Sequence, residues 1–370
     1  MTTNPVYFTV GPSQLHPKFE TFIGRANQEA IGSISHRSER FCKLYADLSE
    51  NLKKLFAVPG DYAVFFAASA TEFMERTVQN CSEKGTLHFV NGVFSKKFFE
   101  IAQANGRAAV AVPPNDDQSF SLDRVPPGAG VQPELVCLTH NETSNGTTLP
   151  RDFQETVRTA FPDALLALDI VSSAPTSEID CAKFDCIFFS VQKGFGLPAG
   201  LAAIFVSPRA IRKAEQIEAQ RTDSGGGQYT GSFHSFANLQ KHAKRHQTPE
   251  TPNVLGMYLL NEVCLDFLAR GIPALRAETK EKAALIYAAL EKYPPLTLTI
   301  RNKKIRSQTV AVAEAKQGSK EIIEALKQKG FVIASGYGAQ KESQIRIGNF
   351  PSHTKEQVAK LCEALRDLPV

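Results

Sequence analysis

The residue in this sequence best placed for covalent chemistry is Lys193. Cys186-Ile-Phe-Phe-Ser-Val191 has the composition of a buried strand and runs directly into Gln192-Lys193, a Gly194-Phe-Gly196 turn, Pro198 and another apolar run. Desolvation at the end of such a strand lowers the pKa of an amine and leaves a nucleophile able to form a Schiff base with a carbonyl. A strand that simply ends and releases its lysine to water fits the same residues. Three further positions bear on the choice. Asp169 closes the apolar run Ala164-Leu-Leu-Ala-Leu168, where a carboxylate is costly unless it meets a cation or hydrogen-bond donors. Ala68-Ser69-Ala70-Thr71 joins the strand-like Tyr62–Ala67 to a helix start at Glu72. Free N–H groups and the helix dipole there favour an anion, although a capped connection without ligand reads the same way. Phe94 follows the strand-like Leu87–Val90, where a ring can stack on a planar ligand or belong to the core.

The elements that must carry these residues alternate in a regular way. From about residue 16 to 265, apolar strand runs and helical patterns follow one another with short turns, which implies an α/β fold with a mostly parallel sheet covered by helices on both faces. Residues 1–15 and 266–370 are expected to form a second, smaller α+β domain, with strands near 296–300, 308–313, 331–334 and 343–347 and helices near 318–329 and 354–367. The polar cluster His140-Asn141-Glu142-Thr143 lies beyond the strand Leu135–Leu138, where open α/β sheets place ligands. His36-Arg37 precede a helix that Ser38 can cap, with Phe41, Leu44, Tyr45, Leu48, Leu52 and Leu55 along one face. Arg346 alternates as a half-buried strand residue. Residues 221–231, with Gly225-Gly-Gly227, read as a loop with the makings of a lid, and Gln247-Thr248-Pro249 as a turn before a long helix.

Composition excludes several classes. The chain has 370 residues, 42% hydrophobic and 22% charged, with net charge +4. Its basic residues are dispersed, so no nucleic-acid partner is expected. Seven cysteines form no Cys-x-x-Cys pair and no zinc spacing, which suits reduced thiols in a cytoplasmic protein and no metal. No stretch reads as a signal peptide or a membrane span. No Gly-x-Gly-x-x-Gly follows the early strands, against a dehydrogenase.

Taken together, an amine, an acid, an aromatic ring and an anion cradle at strand ends of one sheet describe a pocket for pyridoxal 5'-phosphate. In it Lys193 would hold the aldehyde, Asp169 the pyridine nitrogen, Phe94 the ring face, and residues 69–71 the phosphate. At this point the chain resembles the class V aminotransferases, of fold type I, over essentially its whole length. The likeness rests on Gly11-Pro12, Ser35-His36-Arg37, Ala68 to Glu75, Asn141-Glu-Thr143, Asp169-Ile-Val-Ser-Ser173, Gln192-Lys193 and Thr248-Pro249. Within that class it is most similar to the phosphoserine aminotransferases.

The resemblance implies roles residue by residue. Thr143 would bond the phenolic oxygen of the cofactor. Ser69, Ala70, Thr71, Ser172 and Gln192 would bind its phosphate, and Gln247 and Thr248 would reach the phosphate of a neighbouring subunit in a homodimer with shared sites. Arg346 would fork onto the substrate α-carboxylate, with His36 and Arg37 near the far end of the substrate. Phosphoserine and 2-oxoglutarate are the implied substrates. The alternative in the class is an alanine– or serine–glyoxylate transaminase. A cysteine desulfurase is disfavoured, because Gln192 precedes the lysine and residues 330–350 hold no Cys. The chain departs from the phosphoserine pattern twice. Ala-Ser-Ala-Thr stands for a Gly-Gly-Gly-Arg cradle, and Ile333-Ala-Ser-Gly-Tyr-Gly lacks a His-Arg pair. Lys341, Arg221 and Arg245 are the candidate substitutes.

Overall fold

The computed structural model describes residues 4–126, 132–224 and 231–368, without the side chains of 221–224. Its larger sheet has seven strands in the spatial order Ala63–Ala67, Ala202–Val206, Cys186–Ser190, Leu165–Asp169, Leu135–Thr139, Gly85–Phe89 and Ala108–Val112. Ala202–Val206 runs antiparallel to both neighbours, and the other pairings are parallel. The central strands are apolar on both faces because both faces are covered. Along Cys186–Ser190, Ile187 and Phe189 enter one core while Cys186 and Phe188 enter the other, the two-residue period of a strand. Helices Glu39–Phe56 and Val254–Arg270 pack on the first face; Ala70–Cys81, Val93–Ala104 and Phe236–Ala243 pack on the second.

The smaller sheet has the order Val6–Phe8, Phe331–Ser335, Gln344–Gly348, Val310–Ala315, Leu296–Leu298. Its first pair is parallel and the rest are antiparallel. Helices Ile272–Lys292, Lys320–Gln328 and Lys355–Arg366 complete its core. Helix Val254–Arg270 is continuous and ends at Gly271, whose φ of 82° breaks it before the next helix. The next helix begins in the first core, at Ile272 and Leu275, and reaches the smaller one at Ile286.

Two features differ from the sequence reading. Asn141–Glu142 and Thr147–Thr148 form a two-stranded hairpin, which the sequence did not announce because two-residue strands carry no period. Of the loop expected over 221–231, residues 221–224 continue the helix Pro208–Ser224, and residues 225–230 lie outside the described residues. Among the described residues no helix is long and apolar enough to cross a membrane, and no group of His, Cys, Asp and Glu could hold a metal ion.

Candidate active site

The strand Cys186–Ser190 stops three residues short of Lys193, so the lysine sits in the turn beyond it. That turn is pinned on both sides. Gly196 N donates to Lys193 O at 3.0 Å, His16 N to Gly196 O at 2.8 Å and Ser13 N to Gln192 O at 3.1 Å. The aliphatic stem of Lys193 lies against Gly11, whose φ is 126°; a Cβ there would stand 2.7 Å from Lys193 Cε. Glycine is required at residue 11 on both counts. The stem is thereby turned inward, and Lys193 is 6% exposed. Its Nζ donates to Thr143 Oγ1 at 3.1 Å and stands 5.2 Å from the centre of the Phe94 ring. Burial lowers the amine below its ordinary value and Arg346 adds to this, against the pull of Asp169 and Glu142. Asp169, the last residue of its strand, is pushed up by burial, with the Val171 N–H (2.8 Å to Oδ1) and Lys193 opposing. The charge of each group opposes the shift that burial imposes on the other, and neither is at home in its ionised form without the other or a ligand.

Phe94 is held by a carboxylate that the sequence reading quoted but gave no role. Glu142, 1% exposed, accepts hydrogen bonds from Phe94 N (3.1 Å), Ser95 N (2.9 Å), Ser95 Oγ (3.0 Å), Ser144 N (3.1 Å) and Ser144 Oγ (2.6 Å). It is an N-terminal cap supplied from another element, satisfying the first N–H groups of helix Val93–Ala104. Gly92 makes room for it, since a Cβ there would collide with the Glu142 side chain. The signal was present as an acid two residues before a Ser within a polar cluster, but only the fold brings it to a helix start.

The cradle is the start of helix Ala70–Cys81. Ser69 caps it, its Oγ accepting from Glu72 N at 3.3 Å, and Ala70 N donates to Ser190 Oγ at 2.9 Å. Thr71 lies in the first turn, where the N–H has no carbonyl within the helix to meet. On the opposite wall Ser172 Oγ accepts from Asn141 Nδ2 at 2.8 Å and donates to Asn141 O at 2.9 Å. Arg346, on the strand Gln344–Gly348, reaches in from the smaller domain. Its Nε donates to Ser335 O at 2.7 Å and its Nη1 to Thr143 O at 3.4 Å. Ser69, Ala70, Thr71, Phe94, Thr143, Asp169, Ser172, Gln192, Lys193 and Arg346 thus line one cavity of about 300 Å³. Val10, Gly11, Met74, Asn141, Val171, Ser190 and Tyr337 complete its wall; the sequence reading assigned none of these seven a site role.

The remaining candidates are elsewhere. His36, Arg37, Gln247 and Thr248 do not line this cavity; three of them form a corner of their own. Arg37 Nη1 donates to Gln247 Oε1 at 2.9 Å and to Thr248 O at 2.8 Å, and Nη2 to Pro249 O at 3.3 Å. Arg37 is therefore engaged as a clamp on the 247–249 turn. Arg245 is exposed beside that turn, Lys341 is exposed at the end of a short 3-10 turn away from the cavity, and the Arg221 side chain lies outside the described residues.

The donor set fits pyridoxal phosphate: a buried amine, a buried acid, a ring face and the first turn of a helix open on one basin of adequate volume. Comparison with known proteins agrees. The profile of the family described as "Aminotransferase class-V" matches residues 9–361. A putative phosphoserine aminotransferase of Mycobacterium leprae is 27% identical over 371 residues, covering 97% of this chain and 93% of that protein. The crystal structure of a phosphoserine aminotransferase from Cytophaga hutchinsonii is 41% identical, with a TM-score of 0.92 over 98% of this chain and 99% of that one. An alanine–glyoxylate aminotransferase from Nostoc shares the fold, at 22% identity and a TM-score of 0.82 over 99% and 95% of the two chains. On these grounds the chain is a pyridoxal-phosphate-dependent enzyme and belongs to the class V aminotransferases.

Proposed function

We propose that this aminotransferase takes its amino group from phosphoserine and passes it to 2-oxoglutarate, as a cytoplasmic homodimer serving serine biosynthesis. The observation that carries the reaction type is the buried Lys193 amine, aimed between Thr143 and Phe94 with Arg346 in the wall of the same cavity. The substrate is argued from the Cytophaga hutchinsonii relative, a phosphoserine aminotransferase at 41% identity. The bound cofactor supplies the carbonyl and the electron-withdrawing ring on which group transfer depends. The protein's own part is positional and acid–base. Lys193 Nζ, kept partly deprotonated by burial, accepts and returns the substrate proton. With the cofactor bound, Asp169 would favour a protonated ring nitrogen, Phe94 would support the ring face, and Thr143, which accepts from Lys193 Nζ, would also bond the phenolic oxygen. Arg346 offers the N–H groups that Ser335 and Thr143 leave over to an α-carboxylate.

The pairing into a dimer is supported by the Arg37 corner. Gln247 and Thr248 are fixed in place yet stand outside their own chain's cavity, as groups serving a second copy would. A cytoplasmic setting is supported by seven cysteines that are all free. One observation favours a second reading, an alanine– or serine–glyoxylate transaminase: among the described residues lining the cavity, the cations are Lys193 and Arg346, with no third for a substrate phosphate. Mixing the yellow holoenzyme with single amino donors decides between them. Phosphoserine is expected to convert the cofactor to its amine form faster than alanine or serine. Faster conversion by alanine overturns the phosphoserine assignment and selects the glyoxylate reading.

A further inference from the structure

Tyr337 is a residue of the cavity wall for which neither the sequence nor the reaction supplied a role. It projects from a tight turn after the strand Phe331–Ser335. Gly336 N donates to Gln344 O at 2.7 Å, Gln340 N donates to Tyr337 O at 3.1 Å, and a Cβ on Gly336 would strike the Gln340 carbonyl. The backbone beneath the ring is therefore fixed, although the side chain is 39% exposed at the mouth of the cavity. The ring makes two contacts. Its centre is 5.4 Å from the Arg346 guanidinium carbon and 5.6 Å from the centre of Phe94, the planes inclined at 52°. One side chain of the smaller domain thus touches both the arginine that meets a carboxylate and the large-domain ring that faces the cofactor.

The chemistry of that contact matters. Arg346 is 7% exposed, so its charge needs support. A carboxylate would give it by taking up the guanidinium edge, the same N–H groups a substrate carboxylate must use. The nearby Glu142 is instead consumed by the Phe94 helix start. An aromatic ring supports the cation through its face and leaves the in-plane N–H groups free. We propose that Tyr337 is a positioning residue for Arg346, holding its fork open and oriented toward the α-carboxylate of amino and 2-oxo acid substrates from a rigid turn of the smaller domain. This rests on the reading of Arg346 as the carboxylate receptor.

The test uses the holoenzyme and whichever amino donor converts it. Tyr337→Ala is expected to raise KM about tenfold for the amino donor and the 2-oxo acid alike, with kcat changed by no more than about threefold, as for loss of a partly buried cation–π contact. Tyr337→Phe should restore KM to within about twofold, and Tyr337→Leu, of similar bulk without the ring face, should not. In an Arg346→Ala background Tyr337→Ala should add little, because the two act through one contact. Unchanged KM in Tyr337→Ala, equal recovery with Leu and Phe, or fully additive losses with Arg346→Ala would each overturn the proposal. Loss of cofactor from Tyr337→Ala would overturn it in favour of a role through Phe94. A wild-type protein that converts no amino donor defeats the aminotransferase substrates proposed above, whereas a converting wild type with an indifferent Tyr337 defeats only this inference.

Discussion

Lys193 and Arg37 are both cations held by turns, and they differ in how their N–H groups are employed. Lys193 is buried, has one hydrogen bond, to Thr143, and depends for charge balance on an acid that burial has itself weakened. Arg37 is exposed and makes three hydrogen bonds to Gln247, Thr248 and Pro249. A cation that is desolvated and short of partners is poised for chemistry, while one engaged by its own chain is a buttress. The same contrast separates the two halves of the proposed site. The reaction centre is assembled within one chain. The corner carrying Gln247 and Thr248 is tied to Arg37 by hydrogen bonds and does not line that reaction centre's cavity.

The comparison can be broken most sharply at the lysine. Lys193→Ala should retain the fold and lower transamination by roughly a thousandfold or more, in line with loss of a positioned general base. Turnover of the preferred donor measures this, and borohydride should no longer fix the cofactor to the protein. Full turnover would move the chemistry to another amine. Next in size, Arg346→Ala should weaken amino-acid binding by about 2–5 kcal/mol if its substrate pair is buried, read as KM with cofactor binding unchanged.

If Arg37 is a clamp, Arg37→Ala should act on cofactor retention and not mainly on donor specificity. Three hydrogen bonds from a charged group are lost from the 247–249 turn, so a roughly tenfold weaker cofactor Kd is expected, deepening on dilution as dimers separate. A change confined to the KM of phosphoserine would make Arg37 a substrate receptor and erase the contrast. Glu142→Gln should cost less, about threefold to tenfold in kcat/KM, with Glu142→Asp recovering part of it. The expected accompaniment is a shifted absorbance of the bound cofactor, since the Phe94 helix start loses its carboxylate.

Stability, as distinct from activity, is expected to depend on pH. His140, whose Nδ1 meets Ser173 Oγ at 2.9 Å, is pushed down by burial to about 4. His353 is likewise pushed to about 4 and His88 to about 3. All three are depressed, so the unfolded chain binds their protons first as pH falls below 6.5. Their contribution to stability is intact above 6.5 and is lost progressively as pH drops toward 4, at about 1.4 kcal/mol per histidine per pH unit. Denaturant melts between pH 6.5 and 4.5 should show this slope, and His88→Gln, at a residue that does not line the cavity, should remove about a third of it. A slope unaltered by that substitution would mean that His88 is not among the groups titrating on unfolding.

Much of the architecture was legible because burial on both faces writes itself into composition. Each central strand was visible as an apolar run, and Lys193 and Asp169 stood out as charges at the ends of such runs. Phe94 and the Ser69–Thr71 turn were legible as positions, and their convergence on one cavity followed from the parallel order of the strands. Tyr337 and Glu142 were not legible as site residues. A tyrosine between two glycines and a glutamate in a polar cluster are ordinary in sequence; Tyr337 meets Phe94 from 243 positions away, and Glu142 meets Phe94 and Ser95 from 48 and 47 positions away. Arg37 was legible as a candidate anion receptor, but which acceptors it meets depends on a turn more than 200 residues further on.

By itself the sequence determined which residues could do chemistry and on what kind of scaffold. An amine and an acid at buried strand ends, in an alternating β and α chain, leave few alternatives to a cofactor enzyme, because desolvation penalties are local and strand order follows from connectivity. Only the tertiary structure decided how those charges are balanced. Hydrogen bonds and ring contacts set Glu142 at the start of the Phe94 helix, Tyr337 against both Arg346 and Phe94, and Arg37 onto the 247–249 turn. Such contacts are short-ranged and directional, so they exist only once the segments that carry them have been packed together.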